Sequence, residues 1–398
     1  MCEEKPGISE DSGVVKQSER ADVNMENKFR IGIAGCGGMG SGHAIALKSG
    51  TGDTVYNGNV ADAKMPDSAM TTRIGDMMEL SGVTDIDQSR QDWAREQGIF
   101  VYEDYAAMLS DESVDAVLIA TPNHLHKSMA MEALRAGKHI LCEKPVMMCS
   151  ADLAEVMKEA EAAGRVFYPR QNREWDEDFL IIRKIYQENL LGRTFEIRCR
   201  IMGARGIPGD WRSRRECGGG MMYDWGVHVI DRTVKMIPER LRRIYCDLKY
   251  ITNQECDDNV FIHFTFESGL TVRLEVDTCH FIRLPLWNLY ADQGTAEIDS
   301  WNCDGRMVRL SSWEDKDTVP VMAGSGLSKT MAPRGRETLK ELPLPRFDFD
   351  RNALYRNFVE PCLGTAQQTV TADHALRVLR IMETCFRSAR EGRVIEFE

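Results

Sequence analysis

The stretch FRIGIAGCGGMGSGHAIALKSG, residues 29–50, leaves its chain few architectures to adopt. A short apolar run enters a turn with Gly35, Gly37 and Gly40 at G-x-G-x-x-G spacing, and a small-residue helix follows. The first glycine permits the tight turn, the second lets backbone approach a pyrophosphate, and the third lets helix pack on strand. Gly38 and Met39 complete the loop. The helix start offers unpaired N–H groups and positive potential to phosphates. These residues are therefore expected to bind a dinucleotide.

The alternation of strand and helix continues. MMELSGVTDI and VDAVLIATP read as strands, while DQSRQDWAREQG, EDYAAMLSD and HKSMAMEALRAG read as helices, and KHILCEKP as a strand entering a turn. Apolar strands lacking polar alternation suit a parallel sheet covered on both faces. After ADLAEVMKEAEAAG the strands lengthen and alternate, as in TFEIRCRI, LRRIYCDLKY, DNVFIHFTFE and LTVRLEVDTCH, which fits an open antiparallel sheet. Residues 323–346 read as a Gly/Pro-punctuated loop, and TADHALRVLRIMETCFRSAREG as a final helix with a Thr cap and a Gly stop.

At 398 residues the chain exceeds the usual limit of a single core. The expected division is a polar arm over 1–28, a dinucleotide-binding domain over 29–146 with an insertion at about 51–76, and a substrate and oligomerisation domain over 147–398. A net charge of −12 argues against a nucleic-acid partner. No apolar run is long enough to span a bilayer. The arm lacks the apolar core of a signal peptide, and the twelve cysteines are scattered without a C-x-x-C pair. A reduced, cytoplasmic setting is expected.

An acidic residue at the end of the second strand selects between cofactors. Asp62 lies at about the customary spacing of roughly 20 residues, but Asp85 ends a better strand and precedes a convincing helix. Asp85 is preferred; it would accept from the adenosine ribose and repel a 2′-phosphate, favouring NAD over NADP. Arg90 nearby keeps NADP open.

The stretch GGGMMYDWGVHVID, residues 218–231, carries two aspartates and a histidine on one helix. Asp224, His228 and Asp231 follow at spacings of four and three, which places them on one helical face. One carboxylate is expected to fix the imidazole tautomer while the other faces substrate. Histidine, neutral at physiological pH, suits a general base. The two aspartates and the histidine could also simply satisfy one another. No third ligand accompanies the pair, so no metal is expected.

IATPNHLHKSMAMEALRAGKHILCEKP resembles the Gfo/Idh/MocA family of glucose–fructose oxidoreductase and inositol dehydrogenase. The resemblance rests on Pro122, Asn123 and His126, on AGKH at 136–139, and on the turn of Glu143, Lys144 and Pro145. DWR at 210–212, GGG at 218–220, D-x-x-x-H at 224–228 and the C-terminal SAREGR complete it. It implies an α/β protein with an N-terminal Rossmann domain and a C-terminal α/β domain carrying an open, mainly antiparallel sheet. It also implies reversible oxidation of a secondary hydroxyl on a sugar, glycoside or inositol-like polyol, and a homodimer or homotetramer formed through that sheet.

By position, the resemblance makes Lys144, Asp224 and His228 catalytic. It adds Thr121, Pro122, Asn123, His126, Glu143 and Lys144 to the cofactor site. Gln171, Asn172 and Arg173, with Trp211 and Arg212, become substrate contacts. His43 fits the pattern as well, in either a structural or a functional role, whereas His374 has no supporting constellation. Two other readings remain: a glycosidase that oxidises and re-reduces its sugar with held NAD, and a regulator that binds NAD without chemistry.

Overall fold

The computed structural model describes residues 28–50, 73–311, 320–328, 330, 333–347, 350 and 352–397. The expected arm and most of the insertion, with Asp62, lie outside the described residues.

Five parallel strands form the first sheet: β1 (Phe29–Ala34), β2 (Met78–Thr84), β3 (Ala116–Ile119), β4 (His139–Cys142) and β5 (Phe167–Pro169). Their order is β2-β1-β3-β4-β5. The order reverses at β1, so the crevice beyond the strand ends there is the place for a ligand. Helices α1 (Gly38–Ser49), α2 (Gln88–Glu96), α3 (Tyr105–Ser110), α4 (His126–Arg135) and α5 (Ser150–Ala163) connect the strands. β3, AVLI, is buried along its whole length, as its unbroken apolar sequence demands. The sheet takes its fifth strand from beyond residue 146, because α5 is long enough to carry the chain back for a further parallel pairing.

After α6 (Glu177–Gln187) the chain enters a nine-stranded mixed sheet. It contains β6 (Thr194–Met202), β7 (Leu241–Lys249), β8 (Asn259–Phe266), β9 (Thr271–Asp277), β10 (Trp287–Ala291), β11 (Gly294–Ile298) and β12 (Gly305–Leu310). β13 (Val321–Ala323) and β14 (Gly326–Ser328) make a separate hairpin, while β15 (Leu339–Leu342) and β16 (Ile395–Glu396) close the two edges of the large sheet. Within this sheet, among the described residues, only β6 and β9 pair in parallel. The stretch read as a loop over 323–346 thus supplies strands; LKEL completes an edge ladder that its short polar sequence does not announce.

Along β8 and β9 every second residue is buried, so Ile262, Phe264, Val272 and Leu274 face the core while His263, Arg273 and Glu275 do not. α7 (Val227–Met236) joins that core through Val229, Ile230 and Val234. Beneath it, Arg232 is fully buried on Asp178, at 2.9 Å, and the Trp287 indole donates to the same carboxylate at 2.7 Å. Helix α8 (Ala353–Cys362) returns to the first domain and packs Tyr355 and Phe358 with Phe29, Ile31 and Tyr168. Helix α9 (Ala372–Glu391) has the expected ends: Thr371 Oγ1 accepts from His374 N–H, and Gly392 is left-handed with φ 62°.

Candidate active site

The glycine turn sits at the carboxyl end of β1. Gly35 has φ +92°, and a Cβ on Gly40 would lie 1.8 Å from the Gly35 carbonyl oxygen, so only glycine lets α1 start this close to the strand. No side chain caps α1, and Gly37, Gly38 and Met39 remain accessible at its N-terminus. This open cradle of backbone amides fits a dinucleotide pyrophosphate. Asp85 follows β2 and closes one side. Its carboxylate accepts from Cys36 N–H at 2.6 Å and Asp87 N–H at 2.9 Å, and Arg90 stands 3.4 Å away. Oδ2 takes both Cys36 N–H and Arg90, while Oδ1, with Asp87 N–H alone, keeps a lone pair for a ribose hydroxyl. The exposed guanidinium of Arg90 also lies within reach of Gly37.

Lys144 leaves the turn after β4. Its ammonium donates to the carboxylate and to the backbone carbonyl of Asp224, both at 2.7 Å. Asp224 belongs to a π-helical turn, Met222–Gly226, that runs straight into α7. Burial alone would raise the Asp224 pKa; Lys144 and Arg212, the latter 3.6 Å away, outweigh it and keep the carboxylate ionised. The His228 ring lies 5.7 Å from that of Trp225, and its Nδ1 is buried without a partner. Burial first, then the charges of Lys144, Arg173, Arg232 and Arg170, hold its pKa well below 6.5. The imidazole is therefore neutral at pH 7.

The expected fixing of the His228 tautomer by one of the two aspartates is not what forms. Asp224 is taken by Lys144, and Asp231 pairs with His374 of α9 at 2.9 Å. The four- and three-residue spacing assumed an α-helix, whereas the π-turn adds residues per turn and moves Asp224 off the His228 register. His374, without a constellation in sequence, gains this partner only through the packing of α9.

Several expected contacts lie beneath the cleft rather than in it. Glu143 is buried and accepts from His43 Nε2 at 2.9 Å, Arg170 at 3.0 Å and Lys144 N–H at 3.2 Å. Burial opposes its ionisation, but Arg170 and His43 bring its pKa down to about 2. His43 also meets the Tyr355 hydroxyl, so α1, α8 and the lysine turn share one buried network. His126 is fully buried, with its ring nitrogens 2.9 Å from the carbonyl oxygens of Thr121 and Pro145. Asn123 donates to Gly218 O at 2.7 Å and ties the first domain to the glycines of the second. Thr121 and Pro122 lead into this turn, half-buried.

On the other wall, Gln171 is buried with its Oε1 unpaired, and Asn172 is half-buried. Arg173 pairs with Asp176 at 2.7 Å and lies over the rings of Trp225 and Trp301. Arg212 stacks on Trp211 and pairs with Asp210. Trp225, Trp301 and Arg170 were not among the residues expected here. Trp225 lies inside the quoted helix, but nothing in one sequence marks an aromatic as lining a site. Among the described residues no three His, Cys, Asp or Glu side chains gather to hold a metal.

Residues 29–171 match the model of an oxidoreductase family with an NAD-binding Rossmann fold, and residues 179–297 match the GFO/IDH/MocA C-terminal domain. The chain belongs to the Gfo/Idh/MocA oxidoreductase family. Its Rossmann domain binds NAD(P). The chain is similar to an NAD-binding protein from Listeria innocua, at 37% identity and a TM-score of 0.82, covering 93% of this chain and 99% of that one. The NADP-dependent scyllo-inositol 2-dehydrogenase of Bacillus subtilis is 25% identical over 304 residues, 75% of this chain and 83% of that one. The myo-inositol 2-dehydrogenase of Thermotoga maritima is 24% identical over 246 residues, 61% of this chain and 66% of that one. No helix among the described residues is long and apolar enough to cross a membrane.

Proposed function

We propose that the protein is an NAD-dependent dehydrogenase that reversibly oxidises a secondary hydroxyl of a sugar, glycoside or inositol-like polyol. The observation that carries this reading is the direct pairing of Lys144, from the first domain, with Asp224, one helical turn before His228 in the second. A bound nicotinamide supplies the hydride acceptor. Gly35, Gly37, Gly38, Met39 and Gly40 would hold the pyrophosphate, and Asp85 the adenosine ribose. His228, kept neutral by its surroundings, takes the hydroxyl proton. Lys144, steadied by Asp224, donates a hydrogen bond to the same oxygen. Gln171, Asn172, Arg173, Trp211 and Arg212 orient the rest of the ring. Glu143, Asn123 and His126 act as positioning residues beneath Lys144.

Two relatives named as inositol dehydrogenases support cyclitols as the first class to test. The experiment is a panel of inositols, free sugars and glycosides with NAD, followed at the NADH absorbance. Steady NADH accumulation with one class supports the reading. Turnover without net NADH identifies the redox-neutral glycosidase instead, and no turnover of any member with NAD bound identifies the regulator. A homodimer or homotetramer through the half-exposed face of β8 and β9 completes the proposal, to be measured by light scattering.

A further inference from the structure

We propose that Trp301 forms a second ring-binding subsite, and that the substrate carries a second ring with an apolar face, a sugar or an aryl aglycone, joined to the ring that is oxidised. This rests on the dehydrogenase reading of the site and names its substrate class. Trp301 is 45% exposed in the turn between β11 and β12. It is not an isolated surface aromatic: its ring lies 5.9 Å from that of Trp225, which lies 5.7 Å from that of His228. The Arg173 guanidinium sits over both indoles, at 4.4 and 4.9 Å. A ring with its hydroxyl at His228 therefore has a neighbour's place one indole farther out.

The turn is set before any ligand arrives. Asp299 N–H donates to Asp304 O at 2.7 Å, Cys303 N–H to Ser300 O at 3.0 Å, and Arg346 to Cys303 O at 3.0 Å. An aromatic held this way loses little freedom on binding. Gln171 Oε1 and Arg173 Nε, on the segment that carries the Arg173 guanidinium over the indoles, are buried without partners. One indole face matches one ring by dispersion and stacking. It falls far short of the area that a stable protein interface buries.

The test is calorimetry on the full-length, NAD-loaded protein with 4-nitrophenyl and methyl glycosides of glucose and galactose. The aryl glycoside is expected to bind about fivefold to tenfold more tightly than its methyl counterpart, the range a stacked aromatic supplies. Trp301→Ala is expected to erase that preference by weakening the aryl glycoside more than its methyl counterpart, while Trp301→Phe retains most of it. No aryl preference in the wild type, a preference that survives Trp301→Ala, or an equal loss for both ligands overturns the subsite. If NADH never forms with any panel member yet Trp301→Ala removes the preference, the dehydrogenase reading falls and the subsite stands.

Discussion

His228 owes its low proton affinity to where it sits: buried, with four cations around it and no carboxylate on its Nδ1. A base that must be neutral then works to more acidic pH than a free imidazole. The acid limb of kcat/KM is expected below pH 6.5, and Lys144→Met, which removes one cation, should move it upward while lowering the rate. A limb that stays in place in that variant contradicts the electrostatic account. Asp85 is proposed to carry the cofactor choice. Asp85→Ser removes the charge that repels a 2′-phosphate and releases Arg90, so the NAD-over-NADP ratio of kcat/KM should fall by tenfold or more, the scale of one charged contact at about 1.4 kcal/mol per decade. Equal use of both cofactors by the wild type would remove this role from Asp85.

The glycine turn shows how an element positions chemistry. Because α1 begins against the Gly35 carbonyl, Gly40→Ala must push helix from strand. A titration with NAD should show at least a tenfold weaker complex, and unchanged affinity would mean the cradle lies elsewhere. This element was legible because its signal is local: glycines, an unbroken apolar strand, then a helix. The long helix α9 was legible for the same reason, its Thr371 cap and Gly392 stop being written in the chain. The π-turn at Met222–Gly226 was not, since it depends on how Asp257 accepts from Met222 N–H at 2.7 Å and how Lys144 arrives from another domain. β15 was hidden too, because an edge strand needs only the backbone of its neighbour.

Across the whole molecule, long-range packing decides which side chains meet. The sequence marks Lys144, Asp224 and His228 as candidates, but not which carboxylate meets which cation. Tyr355 and His374 enter through helices more than 130 residues from their partners. The same packing makes the protein acid-sensitive. His43, His126 and His228 are buried with pKa values held below 6.5, and burial brings His139 to about 4. The unfolded chain takes these protons as pH falls through 6.5 and the folded chain does not, so stability should drop from there toward about pH 4. Thermal melts at successive pH values should show a falling midpoint; a flat profile over that window contradicts these burials. The central claim is that an amine from one domain and an imidazole from the other serve a single reacting hydroxyl. Its most direct test is single-turnover NADH formation in NAD-loaded wild type, Lys144→Ala and His228→Ala, using the polyol the panel selects. Both variants should bind NAD within about twofold of wild type and lose about a hundredfold or more in rate, the usual worth of positioned acid–base groups. Hydride transfer at the wild-type rate in either variant would contradict it.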